Sequence, residues 1–214
     1  MRRIPLRPPS DQDDDFRRKY DYQTFIYDAA FSENRLRLLA PPFLNLTPIV
    51  ETARIFTSFS SMPLRHSLRS LDRHSQIDVE VAPNTEVVHF KTPIGLRSFR
   101  STIADADFYA GKRVLLAKSK DNELSWISDW VTYHQIVHRA DAVLLFDNGS
   151  RKYDLVELVE AIAANTRVDR IGVVSWPFPF GPRPSRARVF DSDYCQYGAL
   201  ESAHHRFLPK ARSV

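Results

Sequence analysis

Two polar clusters, each following a short apolar run, hold residues whose types and spacing suit ligand chemistry. The first is Lys118-Ser119-Lys120-Asp121-Asn122-Glu123, and the second is Asp147-Asn148-Gly149-Ser150. A carboxylate such as Asp147 at the end of a strand accepts hydrogen bonds from ribose hydroxyls or from a base N–H. The competing interpretation is a polar turn in which Asp147 or Ser150 caps a helix. Spacing by itself favours the turn.

The elements around these clusters predict that both lie at one edge of a parallel sheet. Strands are expected at residues 113–118, 142–147 and 170–176, because these apolar runs lack the alternation of a half-exposed strand. Helices are expected at 122–138 and from Asp154, where Asp154 and Glu157 have capping-box spacing. Right-handed crossovers bring the loops after parallel strands to one side of a sheet, where ligands bind. The loops 118–123, 147–153 and 177–190 are therefore expected to form one site.

Common nucleotide-site and hydrolase motifs are absent from the sequence. No G-x-G-x-x-G, P-loop or G-x-S-x-G pattern occurs, and six glycines in 214 residues disfavour a phosphate cradle of backbone amides. The net charge of +4 comes from scattered basic residues, so no nucleic-acid partner is expected.

Cysteine usage and hydropathy bear on the cellular compartment. One cysteine, Cys195, excludes an intramolecular disulfide framework and a cysteine-cluster zinc site. A reducing compartment fits this usage, so a cytoplasmic location is expected. No apolar run approaches the roughly 20 residues of a transmembrane helix, and no signal-peptide core is visible near the N-terminus.

The pattern divides the chain into three parts. Residues 1–19 are polar and predict a flexible tail. Residues 20–110 predict a small β-rich domain punctuated by prolines, and residues 111–214 predict the α/β domain. Within the β-rich domain, strands are expected at 20–27, 77–81 and 87–91, with a turn at Pro83-Asn84. Residues 35–40 form a second short apolar run, 48–56 could form a short helix, and 98–111 are expected to be a connector.

Four motifs in order resemble the opening of a GT-A-type glycosyltransferase domain, most similar to family 92 and its bacterial relatives in the family 2 superfamily. They are Asn122-Glu123, Asp129-Trp130, Tyr133-His134 and the segment from Leu145 to Ser150. Asp129 stands where glutamate is commoner, and the spacing after Ser150 is longer than usual. The resemblance covers about residues 112–214 and implies the nucleotide-binding half of a Rossmann-like, GT-A-like domain, placed after a β-rich region.

The resemblance implies a nucleotide-sugar donor, a glycan or other hydroxyl acceptor, and a site made of particular residues. Lys118, Asn122, Glu123 and Asp147 would line its nucleoside half, and Asn148 and Ser150 would shape the loop. Trp176, at a strand end, is a better candidate for a ligand contact than Trp126 and Trp130, which are expected in the core.

The resemblance also implies a divalent cation, Mn²⁺ or Mg²⁺, held by a D-x-D-type motif in the full-length protein. That motif and the catalytic residues are expected after Val214, so the chain is expected to be an inactive fragment without a metal ligand. The literal D-x-D at Asp191-Ser192-Asp193 is interpreted as a helix N-cap, and the histidines at 134, 138, 204 and 205 as structural residues.

Two other functions remain open. The chain could be a non-catalytic carbohydrate-binding or scaffolding protein whose active module is residues 20–110. It could also be a methyltransferase-like cofactor binder. That alternative predicts a glycine-rich loop after the first strand, and residues 118–123 contain no glycine.

Overall fold

A computed structural model describes residues 2–32, 34–83, 85–183 and 191–214. The fold is mixed α/β. The helices are α1 Asp14–Lys19, α2 Thr47–Glu51, α3 Leu124–His138, α4 Leu155–Asn165 and α5 Tyr194–Ser202, which continues as a π-helical turn over Ala203–Phe207. The strands are β1 Asp28–Ser32, β2 Arg35–Ala40, β3 Arg54–Thr57, β4 His66–Ser70, β5 Ser75–Glu80, β6 Val87–Thr92, β7 Gly95–Arg100, β8 Thr102–Ile103, β9 Val114–Ser119, β10 Ala142–Asp147 and β11 Arg170–Ser175. None of the helices in the described ranges is long and apolar enough to cross a membrane.

The chain forms two compact units, and neither is continuous in sequence. The first contains Met1–Ala104 and Pro179–Ser202, and the second contains Asp105–Phe178 and Ala203–Val214. The expected division placed every residue after 110 in one domain. The difference arises because the segment containing α5 packs with the β-rich unit, a non-local contact that a change in local pattern does not reveal.

The first unit contains a five-stranded sheet in the order β4-β5-β2-β1-β8 and a three-stranded sheet in the order β3-β6-β7. Apolar side chains from both sheets form one core, in which Leu36, Leu38, Ile77, Ile55 and Phe90 are almost completely buried. The strands expected at 77–81 and 87–91 are present, but β5 and β6 belong to different sheets. Of the Pro83-Asn84 turn expected between them, Asn84 lies outside the described residues.

The strand expected at residues 20–27 is absent, and this prediction was wrong. The alternating aromatic residues are buried by ring packing instead. Tyr20 packs edge-on against Tyr22 with ring centroids 4.8 Å apart, and Tyr27 donates a hydrogen bond to the Asp21 carboxylate at 3.3 Å. Alternation of aromatic and polar residues therefore reflects burial here without strand pairing.

The N-terminal segment is folded, in contrast to the flexible tail expected over residues 1–19. Helix α1 begins after Asp13, whose side chain accepts a hydrogen bond from the Phe16 amide, and Phe16 is fully buried. Arg3 is 1% exposed and donates to the backbone carbonyls of Pro42 and Thr24 at 2.7 and 2.8 Å. A largely polar segment is thus anchored by a buried guanidinium whose donors are satisfied by backbone oxygens.

The second unit is built on a parallel three-stranded sheet, as expected, and its strand order is β11-β10-β9. Helices α3 and α4 pack together, and the Ser128 hydroxyl of α3 donates to the Ala161 carbonyl of α4 at 3.1 Å. Their apolar residues, including Val131 and Leu158, cover Val143 and Leu145 of the central strand.

A close approach between Tyr109 and β11 explains one glycine in this sheet. The Tyr109 hydroxyl donates to the Val143 carbonyl at 3.0 Å. A Cβ atom on Gly172 would lie 2.2 Å from that hydroxyl oxygen. Any larger residue at position 172 would therefore displace the tyrosine from the sheet.

The helix starts of the second unit were partly predicted. Asp154 caps α4, and Glu157 completes the capping box by accepting a hydrogen bond from the Asp154 amide. Helix α3 was expected to be capped by Asp121 or Asn122, but it begins at Leu124 with Glu123 at the N-cap position and no side-chain hydrogen bond there. Asn122 bonds instead to Ser119 of its own loop, and Asp121 bonds to the loop after β10.

Candidate functional site

The candidate site lies at the carboxyl edge of the parallel sheet, where the loops after β9, β10 and β11 are joined by hydrogen bonds. The backbone amide of Asn148 donates to the Ser119 carbonyl at 2.8 Å, and the amide of Trp176 donates to the Asp147 carbonyl at 2.7 Å. These bonds extend the pairing of the three strands into the loops. The backbone hydrogen bonds therefore fix the positions of the three loops relative to one another.

The Asp147 carboxylate organises its own loop. It accepts hydrogen bonds from the backbone amides of Gly149 and Ser150 at 3.1 and 2.9 Å, and from the Ser150 hydroxyl at 2.5 Å. Gly149 has φ +76°, a conformation that favours glycine. Asp147 is only 4% exposed, so its carboxylate stabilises a polar turn. Neither Asp147 nor Ser150 caps a helix, because Glu123 and Asp154 occupy the N-cap positions of α3 and α4.

The Asn148 side chain joins the loop after β10 to the loop after β11. Its amide nitrogen donates to the carbonyls of Trp176 and Phe178 at 2.7 and 2.8 Å, and the residue is 5% exposed. Trp176 itself packs edge-on against Phe146 and Phe178, with ring centroids 5.2 and 4.9 Å away, and is 3% exposed. A ligand contact by the Trp176 ring, as predicted, would require the ring to leave this packing.

The loop after β9 is joined to the loop after β10 through Asp121 and Ser150. The Asp121 amide donates to the Ser150 hydroxyl at 2.9 Å, and the Asp121 carboxylate accepts from the amides of Arg151 and Lys152 at 2.6 and 3.3 Å. The hydrogen bond from Arg151 is the main reason that the pKa of Asp121 lies below its usual value. At neutral pH the carboxylate is ionised and holds this contact.

Glu123 forms an exposed ion pair with Lys152 across the same two loops. The hydrogen bond to Glu123 raises the pKa of Lys152, so the lysine is fully charged at neutral pH. Exposed pairs of this kind contribute little to stability, because water and salt screen the two charges. The contact therefore adds little to the hydrogen bonds that join the loops.

A cavity of about 150 Å³ opens between the end of β9 and the first turns of α3. Two of the predicted site residues, Lys118 and Asn122, are among its walls. The remaining lining residues are Ala117, Ser119, Trp126, Ile127, Trp130 and Leu145. The Asn122 amide nitrogen donates to the Ser119 hydroxyl at 2.9 Å, which orients both polar groups.

Trp126 is the residue of this cavity that sequence reasoning missed. It was expected in the core, but it is 65% exposed. Trp130 does pack against the core formed by α3, α4 and the sheet. The apolar residues of α3 are spread over more of the helix circumference than one face of a sheet can bury. The width of this apolar surface indicated that some of its residues face solvent.

The described residues contain no group of three or more His, Cys, Asp or Glu side chains that could hold a metal ion. Asp191 of the literal D-x-D is 1% exposed and accepts hydrogen bonds from Arg7 at 2.6 and 3.0 Å. The rings of His134 and His138 lie 5.2 Å apart on α3, but two imidazoles without a third protein ligand fall short of the usual protein metal site.

The seven predicted site residues thus fall into three settings. Two of them line the cavity, namely Lys118 and Asn122. Three belong to the hydrogen bonds that hold the loops, namely Asp147, Asn148 and Ser150. The other two have separate partners: Glu123 pairs with Lys152, and Trp176 packs against Phe146. Residues 184–190 of the third loop lie outside the described residues.

No family model, curated protein or solved structure matches the chain.

Proposed function

We propose that the cavity at the end of β9 binds the base of a nucleotide-sugar donor, and that the protein is a glycosyltransferase acting on a hydroxyl acceptor. The observation that supports this most is the composition of the cavity. An exposed indole, an asparagine amide, a serine hydroxyl and a lysine converge at the carboxyl end of a parallel strand. Ligands of open α/β sheets bind at that end.

Each group suits one part of a nucleotide. Trp126 offers a flat aromatic face on which a base stacks. The Asn122 amide has both a donor and an acceptor, as the edge of a base requires. Lys118 supplies the positive charge that phosphate oxygens attract.

The volume of the cavity limits how much of the donor it holds. A cavity of 150 Å³ has the size that holds a single benzene ring in a protein interior. The base alone would therefore occupy it, and the ribose, diphosphate and sugar would lie over the joined loops outside. Lys118, at the wall of the cavity, would contact the phosphates.

In this proposal the residues that join the loops act on the ligand indirectly. Asp147, Asn148 and Ser150 keep the loops in place, and the predicted ribose contact requires an Asp147 oxygen to accept one more hydrogen bond. The described residues contain no cluster of three or more metal-binding side chains. The proposal therefore concerns donor binding and derives no catalytic step.

Calorimetric titration with UDP and with GDP, each with and without Mn²⁺, tests the proposal. We expect weak binding of one nucleotide, and we expect Trp126→Ala to reduce that affinity about tenfold, because stacking on an aromatic side chain contributes about 1–3 kcal/mol per base. Tyr133→Ala is the matched control, since Tyr133 is 56% exposed on the same helix but does not line the cavity.

Two results would contradict the proposal. One is the absence of binding by either nucleotide at millimolar concentration to a chain whose circular dichroism shows it to be folded. The other is an equal loss of affinity in the Trp126→Ala and Tyr133→Ala variants, because that would place the ligand outside the cavity.

A further inference from the structure

A second pocket lies in the first unit, beside the hairpin formed by β6 and β7. Its volume is about 220 Å³. The lining residues are Phe25, Phe90, Thr92, Ile94, Gly95, Leu96 and Arg97. Phe25 and Phe90 are 8% and 1% exposed, so the pocket opens onto the aromatic part of the core.

The aromatic rings behind the pocket form a continuous cluster. The ring centroids of Phe25 lie 5.4 Å from Phe43, 6.2 Å from Phe90 and 5.9 Å from Phe99. At the mouth, Ile94 and Leu96 are 55% and 58% exposed. A bound ring would therefore contact aromatic faces inside and cover apolar surface that now faces water.

Arg97 is the charged residue of this pocket. It pairs directly with Phe90 across the hairpin, so the two side chains project from the same face of the sheet. Within the described ranges the Arg97 guanidinium has no hydrogen-bond or ion-pair partner. The Thr92 hydroxyl donates to the Gly95 carbonyl at 3.0 Å, so the other hydrogen-bonding side chain of the lining already has an acceptor.

We propose that this pocket binds a small aromatic carboxylate, with the ring against Phe25 and Phe90 and the carboxylate on Arg97. A cavity of about 150 Å³ holds a benzene ring, so 220 Å³ accommodates one ring and a short carboxylate arm. Guanidinium and carboxylate form paired, charge-assisted hydrogen bonds, which a point charge such as lysine does not reproduce.

The lining also excludes other classes of ligand. A sugar would bury several hydroxyl groups against phenylalanine rings, and each unpaired hydroxyl carries an energetic cost. An uncharged hydrocarbon would make no contact that uses the charge of Arg97, which is exposed at the pocket. An aromatic carboxylate satisfies both the apolar walls and the single cation, and this site is independent of the proposed nucleotide cavity.

Titration of the full chain with phenylacetate, followed by amide chemical shifts and by calorimetry, tests the proposal. Benzyl alcohol carries the ring without the charge, and acetate carries the charge without the ring. We expect phenylacetate to bind at least about tenfold more tightly than either, because it alone makes both contacts. The largest shifts are expected in β6 and β7.

Two variants identify the contact with the carboxylate. Arg97→Gln should abolish the preference for phenylacetate over benzyl alcohol and leave the binding of benzyl alcohol unchanged. Lys91→Gln is the matched control, because Lys91 is an exposed cation of the same hairpin that does not line the pocket. Absence of phenylacetate binding by the folded chain would overturn the proposal. So would wild-type affinity in Arg97→Gln, or an equal loss in both variants.

Discussion

At the scale of single residues, the carboxylates that most suggest chemistry in this sequence are held by other groups of the protein. Asp147 accepts three hydrogen bonds from its own loop. Asp191 forms an ion pair with Arg7 in which both side chains are almost completely buried, at 0% and 8% exposure. Residue type and position made Asp147 a candidate ligand contact, and Asp191 belongs to a literal D-x-D. The hydrogen bonds of both carboxylates position the chain.

The Arg7–Asp191 pair supplies a prediction about stability. The hydrogen bond to Asp191 raises the pKa of Arg7, so the guanidinium stays charged. Asp191→Asn would leave that charge buried without its counter-ion, and we expect the free energy of unfolding to fall by about 3–5 kcal/mol. Urea denaturation measures the change.

Asp193→Asn is the control for this prediction. Asp193 lies two residues away with φ +63°, a conformation that asparagine also adopts. We expect its unfolding free energy to change by less than about 1 kcal/mol. Equal losses in the two variants would show that the ion pair with Arg7 is not the cause.

At the scale of elements, α4 is the clearest case in the second unit of a helix whose first residue and buried face follow from nearby sequence. Its capping box satisfies backbone amides at the first turn, and Leu158 and Ile162 are fully buried in the core. Helix α3 shows the limit of local pattern. It buries Ile127 and Val131 but leaves Tyr133, Ile136 and Val137 more than half exposed.

The cap of α4 supplies a prediction at this scale. The Asp154 carboxylate accepts hydrogen bonds from the amides of Val156 and Glu157, both at 2.8 Å. Asp154→Ala should lower the unfolding free energy of the second unit by about 1 kcal/mol. Thermal and urea denaturation measure it.

Glu160→Ala is the comparison for the cap, because Glu160 is exposed within the same helix. Alanine has the highest helix propensity, so this variant should be close to neutral. A loss in Glu160→Ala that matched the loss in Asp154→Ala would indicate general weakening of α4 rather than loss of its cap.

At the scale of the whole molecule, the chain leaves the first unit after Ala104 and returns to it at Pro179. Unfolding of a chain with two compact units need not be two-state. Transitions should therefore be followed by probes specific to each unit. Trp126, Trp130 and Trp176 all lie in the second unit, so tryptophan fluorescence reports on that unit alone.

The buried histidine of the first unit predicts a pH dependence of stability. Burial lowers the pKa of His74, Arg69 lowers it further and Glu201 opposes both. The folded state then binds fewer protons than the unfolded state near the unfolded pKa of about 6.5, so stability rises with pH in that range. The contribution is complete above about pH 6.5 and is lost as the pH falls below it.

We expect the melting temperature of the first unit to fall between pH 7.5 and 5.5, by roughly a few degrees. His74→Gln should remove much of that dependence. His66→Gln, at a more exposed histidine of β4, should leave it in place. Scanning calorimetry at several pH values tests this. An unchanged slope in His74→Gln would assign the effect to other groups.

Local pattern by itself determined the parallel sheet and its helices. The strand expected at 142–147 matches β10, the apolar run at 35–40 forms β2, and the Asp154 capping box is present. These features depend on residues within one element, through apolar runs, helical spacing and caps. The sequence also predicted that the loop residues Lys118, Asn122 and Asp147 lie at one edge of the sheet. This follows because β9, β10 and β11 are parallel and pair along their whole length.

Tertiary structure alone decided which groups face a ligand and which hold the chain together. Trp126, in the first turn of α3, lines a cavity, whereas Trp176, directly after β11, is buried. Arg3 anchors a segment that composition suggested was flexible, and β5 and β6 join different sheets. Each of these outcomes depends on partners distant in sequence, and the hydropathy of a local window contains no information about those partners.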